Sequence, residues 1–179
     1  MKNILILFTL ALIFNCTKTE RIEVVKEYDG PKINKAVSVL HSVGDSEVSG
    51  TINFGRTESG TKIVVQVTGL SKGNHGFHIH QYGDCSAPDG SSAGGHFNPD
   101  NMEHNSKDAE NRHVGDMGNL TSEGKDQTTT LSYVDNNIFL EEVIGRGIII
   151  HAGEDDFTSQ PSGDAGARIA CGVIGIAQN

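Results

Sequence analysis

The sequence predicts an all-β domain carrying long loops, and three observations point there. Glycine supplies 22 of 179 residues while tryptophan is absent, a composition of loops and turns rather than of a helical bundle. The apolar runs are short and are punctuated by turn dipeptides such as Gly44-Asp45 and Ser59-Gly60. The tripeptide His78-Ile79-His80 alternates as a strand does, so that both imidazoles project to one face while Phe77 and Ile79 face a core.

Taken from the N-terminus, Lys2 and the apolar stretch over residues 4–14 read as an export signal too short to span a bilayer. The stretch ends Leu12-Ile13-Phe14-Asn15-Cys16, which resembles a bacterial lipoprotein signal. On that reading residues 1–15 are removed and Cys16 carries lipid. An ordinary secretory signal with an incidental cysteine, or an uncleaved anchor, is the plainer alternative. Three cysteines leave one over in an oxidising compartment; with Cys16 lipidated, Cys85 and Cys171 remain to pair. Such a bridge closes a loop of about 85 residues, worth on the order of 4–5 kcal/mol in the chain-entropy picture.

Residues 16–35 then form the lipid-bearing cysteine and a polar, aperiodic tether of roughly 25 Å root-mean-square span, enough to lift a domain off a membrane. The domain proper is expected over residues 36–179, long enough for a substantial core. Strand-like runs fall at 36–41, 48–54, 62–67, 76–81, 128–134, 148–151 and 169–176. Residues 82–119 form a long stretch rich in Gly, Asn, Asp, Ser and His, and residues 152–167 a second loop between the last two strands. Loops of that length in a compact domain need another organiser. Three histidines and a cysteine in the first suggest metal and disulfide.

Six histidines and an aspartate are spaced to suit a pair of ions: His78, His80, His96, His104, His113 with Asp116, and His151. Imidazole-rich sites suit zinc and copper. Two separate four-coordinate sites would need an eighth ligand, so one residue is shared or one site stays open. The formal net charge of −9 argues against nonspecific nucleic-acid binding.

Four blocks carry a family resemblance: Gly76-Phe77-His78-Ile79-His80, Gly95-His96-Phe97-Asn98-Pro99, Arg112-His113-Val114-Gly115-Asp116 and Gly166-Ala167-Arg168-Ile169-Ala170-Cys171-Gly172-Val173-Ile174. In that order they resemble copper/zinc superoxide dismutases, in an exported, lipoprotein-like bacterial form. The resemblance implies a Greek-key β-sandwich, or flattened barrel, with two long functional loops. It implies copper at His78, His80, His96 and His151, and zinc at His96, His104, His113 and Asp116, with His96 shared. It further implies a catalytic part for His96 in proton transfer, Arg168 as guide for the superoxide anion, and Asp155 as a carboxylate linking His78 to His104. Asp156 is a weaker candidate for that link. His75 is expected to hydrogen-bond backbone, His41 to lie on the surface, and Met102 and Met117 to pack loops.

The implied activity is dismutation of superoxide to dioxygen and hydrogen peroxide outside the cytoplasm, in the periplasm or cell envelope, with membrane contact through the N-terminal lipid and a homodimer as a possible assembly. A non-enzymatic copper- and zinc-buffering envelope lipoprotein is the alternative. The chain departs from its eukaryotic relatives in having a shorter loop 152–167 with no lysine, so their lysine-based steering cannot be carried over. Asp164 stands where the family usually has Gly or Asn; a carboxylate facing the channel there would oppose the anion.

Overall fold

The structure is a computed structural model and is described for residues 32–178. The expected signal segment, Cys16 and the tether through residue 31 lie outside the described residues. Eight strands follow in chain order: β1 (Lys35–Ser42), β2 (Ser49–Thr57), β3 (Gly60–Thr68), β4 (Gly73–His80), β5 (Asp116–Ser122), β6 (Thr129–Asp135), β7 (Gly147–His151) and β8 (Arg168–Ile176). A single-turn helix, α1 (Leu140–Val143), precedes β7.

All pairings are antiparallel, in the order β5-β4-β7-β8-β1-β2-β3-β6. The hairpins β1-β2-β3 and strand β6 make one half; β8, β7, β4 and β5 make the other. The chain crosses between halves at β3–β4, β5–β6 and β6–β7, which is the Greek-key pattern. The result is the expected all-β barrel, closed except at the unpaired β5–β6 seam.

Alternation decides which side chains fill it. On β3, Ile63, Val65 and Val67 point in, while Lys62 and Gln66 point out. They meet Ile52 and Phe54 of β2, Phe77 and Ile79 of β4, and Ile148 and Ile150 of β7 in one cluster. Each such side chain contributes about 1.5–3 kcal/mol of transfer free energy. Ile33 joins this cluster, so the packed unit begins slightly ahead of β1.

Strand β5 is a correction: sequence alone leaves residues 116–119 in the long loop. Its pairing with β4 slips between Gly76 and His78, and Gly118 adopts φ +84 inside the slip. A bulge of this kind inserts an extra residue and breaks the two-residue rhythm that marks a strand. Met117, expected to pack a loop, is consequently a fully buried core residue of this strand.

The outer face of β4 and β7 is also buried. Two connections cover it: residues 81–115 between β4 and β5, and residues 152–167 between β7 and β8. Cys85 and Cys171 are disulfide-bonded with Cα atoms 5.8 Å apart, pinning the first connection to β8. Val43, Ala93, Ile149 and Cys171 form a small apolar cluster under that pin.

Candidate metal centre

His78 and His80 leave β4 on the face opposite Phe77 and Ile79, and His151 ends β7 beside them. His96 comes from the first connection and forms a lone antiparallel bridge with His80. His104 and His113 lie further along that connection, and Asp116 opens β5. The structure gathers all seven into two groups: His78, His80, His96 and His151; and His96, His104, His113 and Asp116. Within each group the potential ligand atoms lie within 4.8 Å of one another, and every member is buried.

Hydrogen bonding assigns the ring nitrogens. His78 Nε2–H donates to Asp155 Oδ2 (2.8 Å), His80 Nδ1–H to the Gly94 carbonyl (2.9 Å), and His151 Nδ1–H to the Gly166 carbonyl (3.0 Å). What remains is Nδ1 of His78 and Nε2 of His80, His96 and His151, four buried nitrogens with no protein partner. An unpaired buried polar atom is costly, and four converging in one cluster fit the donor set of a cation. Copper suits an all-imidazole set of this kind.

The second group converges on one oxygen. Asp116 Oδ1 lies 2.8 Å from His96 Nδ1, 2.9 Å from His104 Nδ1 and 3.2 Å from His113 Nδ1. The other carboxylate oxygen accepts the backbone N–H groups of Asn105 and His113, each at 3.0 Å, so Oδ1 alone is turned to the histidines. Three imidazoles and one carboxylate make a closed four-donor set suited to zinc. His96 thus presents one nitrogen to each group.

Asp155 is fully buried and accepts from both groups, from His78 at Oδ2 and from His104 Nε2–H at Oδ1 (2.8 Å). Asn119 fixes it through Asp155 N–H to Asn119 Oδ1 (2.8 Å) and Asn119 Nδ2 to the Asp155 carbonyl (2.9 Å). Asp156 instead caps its own loop, accepting from Thr158 and Ser159. His75 donates through Nδ1 to the His151 carbonyl at 2.9 Å, and His41 is exposed.

The two groups differ electrostatically. Burial lowers His78 to about 3, against the opposing Asp155 hydrogen bond, and lowers His151 to about 4. Burial also holds His80 and His96 below the ordinary imidazole value. These rings are neutral at physiological pH and keep their lone pairs free. At His104 burial acts the same way but is outweighed by Asp116 and Asp155, which raise it to about 9. Both its nitrogens face carboxylates, so the ring is an imidazolium without metal. Burial would raise Asp116, yet hydrogen bonds from His104, His113 and His96 hold it far below the carboxylate range.

A pH dependence follows. Because the folded value of His104 exceeds its unfolded one, its contribution to metal-free stability is complete below about pH 6.5 and is lost as pH rises through about 9. Metal ligands must shed their protons, so an ion taken up by this group at pH 7 should release about one proton from His104. Calorimetry in buffers of different ionisation enthalpy would read it; a buffer-independent enthalpy would contradict the assignment.

Arg168 opens β8 beside this site. Its Nη1 and Nη2 donate to the carbonyls of Gly90 and Gly94, each at 2.6 Å. Gly90 and Gly94 have φ of +72 and +75, which only glycine adopts freely, and that backbone geometry belongs to the turn offering both oxygens. Gly94 O serves His80 and Arg168 together. Asp164 is exposed at φ +48, a left-handed conformation that explains why Gly, Asn or Asp suits the position.

Several contributors escape sequence reading. Arg112 is buried, donates to the carbonyls of His113, Val114 and Asp116, and forms a two-point ion pair with Asp135 (2.7 and 2.8 Å). It ties the His113–Asp116 turn to the end of β6. Asn119 grips the Asp155 main chain with its side-chain amide. The carbonyls of Gly94, Gly166 and Met102, the last accepting from His113 Nε2 at 3.0 Å, act through backbone, which leaves no mark in the sequence.

Two four-donor groups sharing one imidazole, under the loops of an antiparallel barrel, define a protein built for two different ions. The family profile described as "Copper/zinc superoxide dismutase (SODC)" matches residues 48–174. An "Extracellular superoxide dismutase [Cu-Zn]" of Brugia pahangi is 40% identical over 158 residues, covering 81% of this chain and 77% of that protein. The chain belongs to the copper/zinc superoxide dismutase family, enzymes that dismutate superoxide with copper and zinc.

Proposed function

We propose that His78, His80, His96 and His151 hold copper, that His96, His104, His113 and Asp116 hold zinc, and that the enzyme works outside the cytoplasm. The observation that carries the first part is the convergence of four unpartnered imidazole nitrogens, one from each residue of the first group. Bound there, copper supplies the reversible one-electron change that dismutation requires, and zinc a fixed positive charge.

The residues supply the rest. His96 Nε2 is the nitrogen on the copper side that can take up a proton and return it to the reduced dioxygen species. Asp116 keeps the opposite nitrogen of that ring directed away. Asp155 and the Gly94 and Gly166 carbonyls hold the tautomers of His78, His80 and His151, leaving the free lone pair of each facing inward. Arg168, braced by Gly90 and Gly94, attracts and orients the anion with a permanent charge. Superoxide decay measured beside metal content tests the reading: one copper and one zinc per chain with no activity would sink it.

From Cys16 on the chain carries 13 basic and 23 acidic residues, so attraction must be local rather than global. Arg168→Ala should slow turnover about 10- to 100-fold with copper still bound, and Arg168→Lys should restore part of it. Turnover should fall as salt rises in the parent and respond less in the alanine variant. A parent rate that rises with salt would remove local steering.

The location outside the cytoplasm is supported by the disulfide, which persists in oxidising compartments, and by the extracellular designation of the Brugia pahangi relative. The apolar segment ending at Cys16 supports removal of residues 1–15, lipid on Cys16 and attachment in the periplasm or cell envelope, with a tether that ends ahead of the core residue Ile33 rather than at residue 35. Cys16→Ser should then move the protein from the membrane to the soluble fraction. A mature chain of unlipidated mass would refute the anchor.

A further inference from the structure

His104 differs from the other ligands in how its backbone is held. Among the described residues its N–H and C=O have no main-chain partner; both are taken by one side chain. His104 N–H donates to Gln160 Oε1 at 2.8 Å, and Gln160 Nε2 donates to the His104 carbonyl at 2.9 Å. This reproduces with a carboxamide the paired contact that a neighbouring strand would make.

The segment presenting Gln160 is braced independently. Asp156 accepts from the N–H groups of Thr158 and Ser159 and from the Ser159 hydroxyl (2.6 Å). The turn closes through Gly163 N–H to the Ser159 carbonyl (2.7 Å) and Asp156 N–H to the Gly163 carbonyl (2.9 Å). A Cβ on Gly163 would fall 1.9 Å from Asp155 Oδ1 and 2.7 Å from His104 Nε2, so this turn lies directly on the carboxylate–imidazole contact. Loop 152–167 therefore grips His104 three times: at its N–H, at its C=O and at its ring.

We propose that Gln160 is a positioning residue for the zinc ligand His104, setting its backbone before metal arrives and making the short 152–167 loop part of the zinc site. The assignment rests on the zinc reading of the second group. Gln160 is itself exposed, so replacing it removes no core packing. Among the described residues its two bonds are the ones made to the His104 N–H and C=O, while the next N–H, of Asn105, is held separately by Asp116.

The test compares Gln160→Met, which keeps length and volume but loses both bonds, with Gln160→Ala. Thr158→Ala serves as a same-loop control. The readouts are amide exchange at His104 in the metal-free protein, affinity for zinc and for cobalt as a coloured substitute, the cobalt absorption bands, copper affinity and the urea midpoint. Both Gln160 variants should speed exchange at His104, weaken zinc and cobalt about tenfold, and shift the cobalt bands. Copper affinity and the urea midpoint should stay, because the copper donors on β4 and β7 are held by other groups. Unchanged exchange, or zinc affinity within twofold of the parent, would overturn the proposal. So would a parallel fall in zinc affinity, copper affinity and midpoint, which marks general destabilisation. Failure of the parent to bind zinc or cobalt at this site would instead overturn the zinc reading, and accelerated exchange at His104 would still report the backbone grip.

Discussion

Asp155→Ala should loosen both ions at once. The carboxylate accepts from His78 Nε2–H and His104 Nε2–H, each at 2.8 Å, and all three side chains are fully buried. Without it each ring keeps a donor facing no acceptor, and the proton that marked the correct tautomer is free to move to the nitrogen needed for metal. Loss of such an outer partner typically costs 10- to 100-fold in affinity. Asp155→Asn is the sharper variant, since its NH₂ would confront one of the two ring donors while the other stays satisfied. Competition with a coloured chelator would read copper and zinc separately. Affinities within about threefold of the parent for both ions would show that the link is dispensable.

The second large effect is expected from the disulfide. Cys85 and Cys171 are 86 residues apart, and removing a native bridge typically costs about 2–5 kcal/mol. The consequence should not stop at stability. Gly90 and Gly94, whose carbonyls brace Arg168, lie on the connection that the bridge pins to β8. Cys85→Ser with Cys171→Ser should lower the urea midpoint and also slow turnover under conditions where the variant is still folded. An unchanged midpoint would contradict the first expectation; a folded variant with full turnover would contradict the second.

What could be read from sequence follows the same physics. The β4 pattern was legible because two signals coincide there, an apolar alternation and an imidazole alternation on opposite faces. β5 was not, because the bulge at Gly118 destroys the only rhythm a strand offers a reader, and Asp116 and Asn119 are poor strand formers. The spacing of the seven donors announced two ions and a shared residue, and a family resemblance supplied their partition. Gln160 and Asn119 were invisible for a different reason: each grips main chain, and nothing about the partner's identity is needed for that grip. Asp164 looked like an oddity until its left-handed backbone accounted for the residue type.

The donors come from β4, β5, β7 and the long β4–β5 connection, spread across two crossings of the Greek key. The first hairpins, β1-β2-β3, carry none of them. The group of His78, His80, His96 and His151 cannot be complete until β7, which ends in His151, has seated between β4 and β8. Metal capture is therefore a census of completed topology. Ions that bind only the finished barrel withdraw it from the unfolding equilibrium by mass action, so partly folded copies stay metal-poor and remain the ones open to proteolysis.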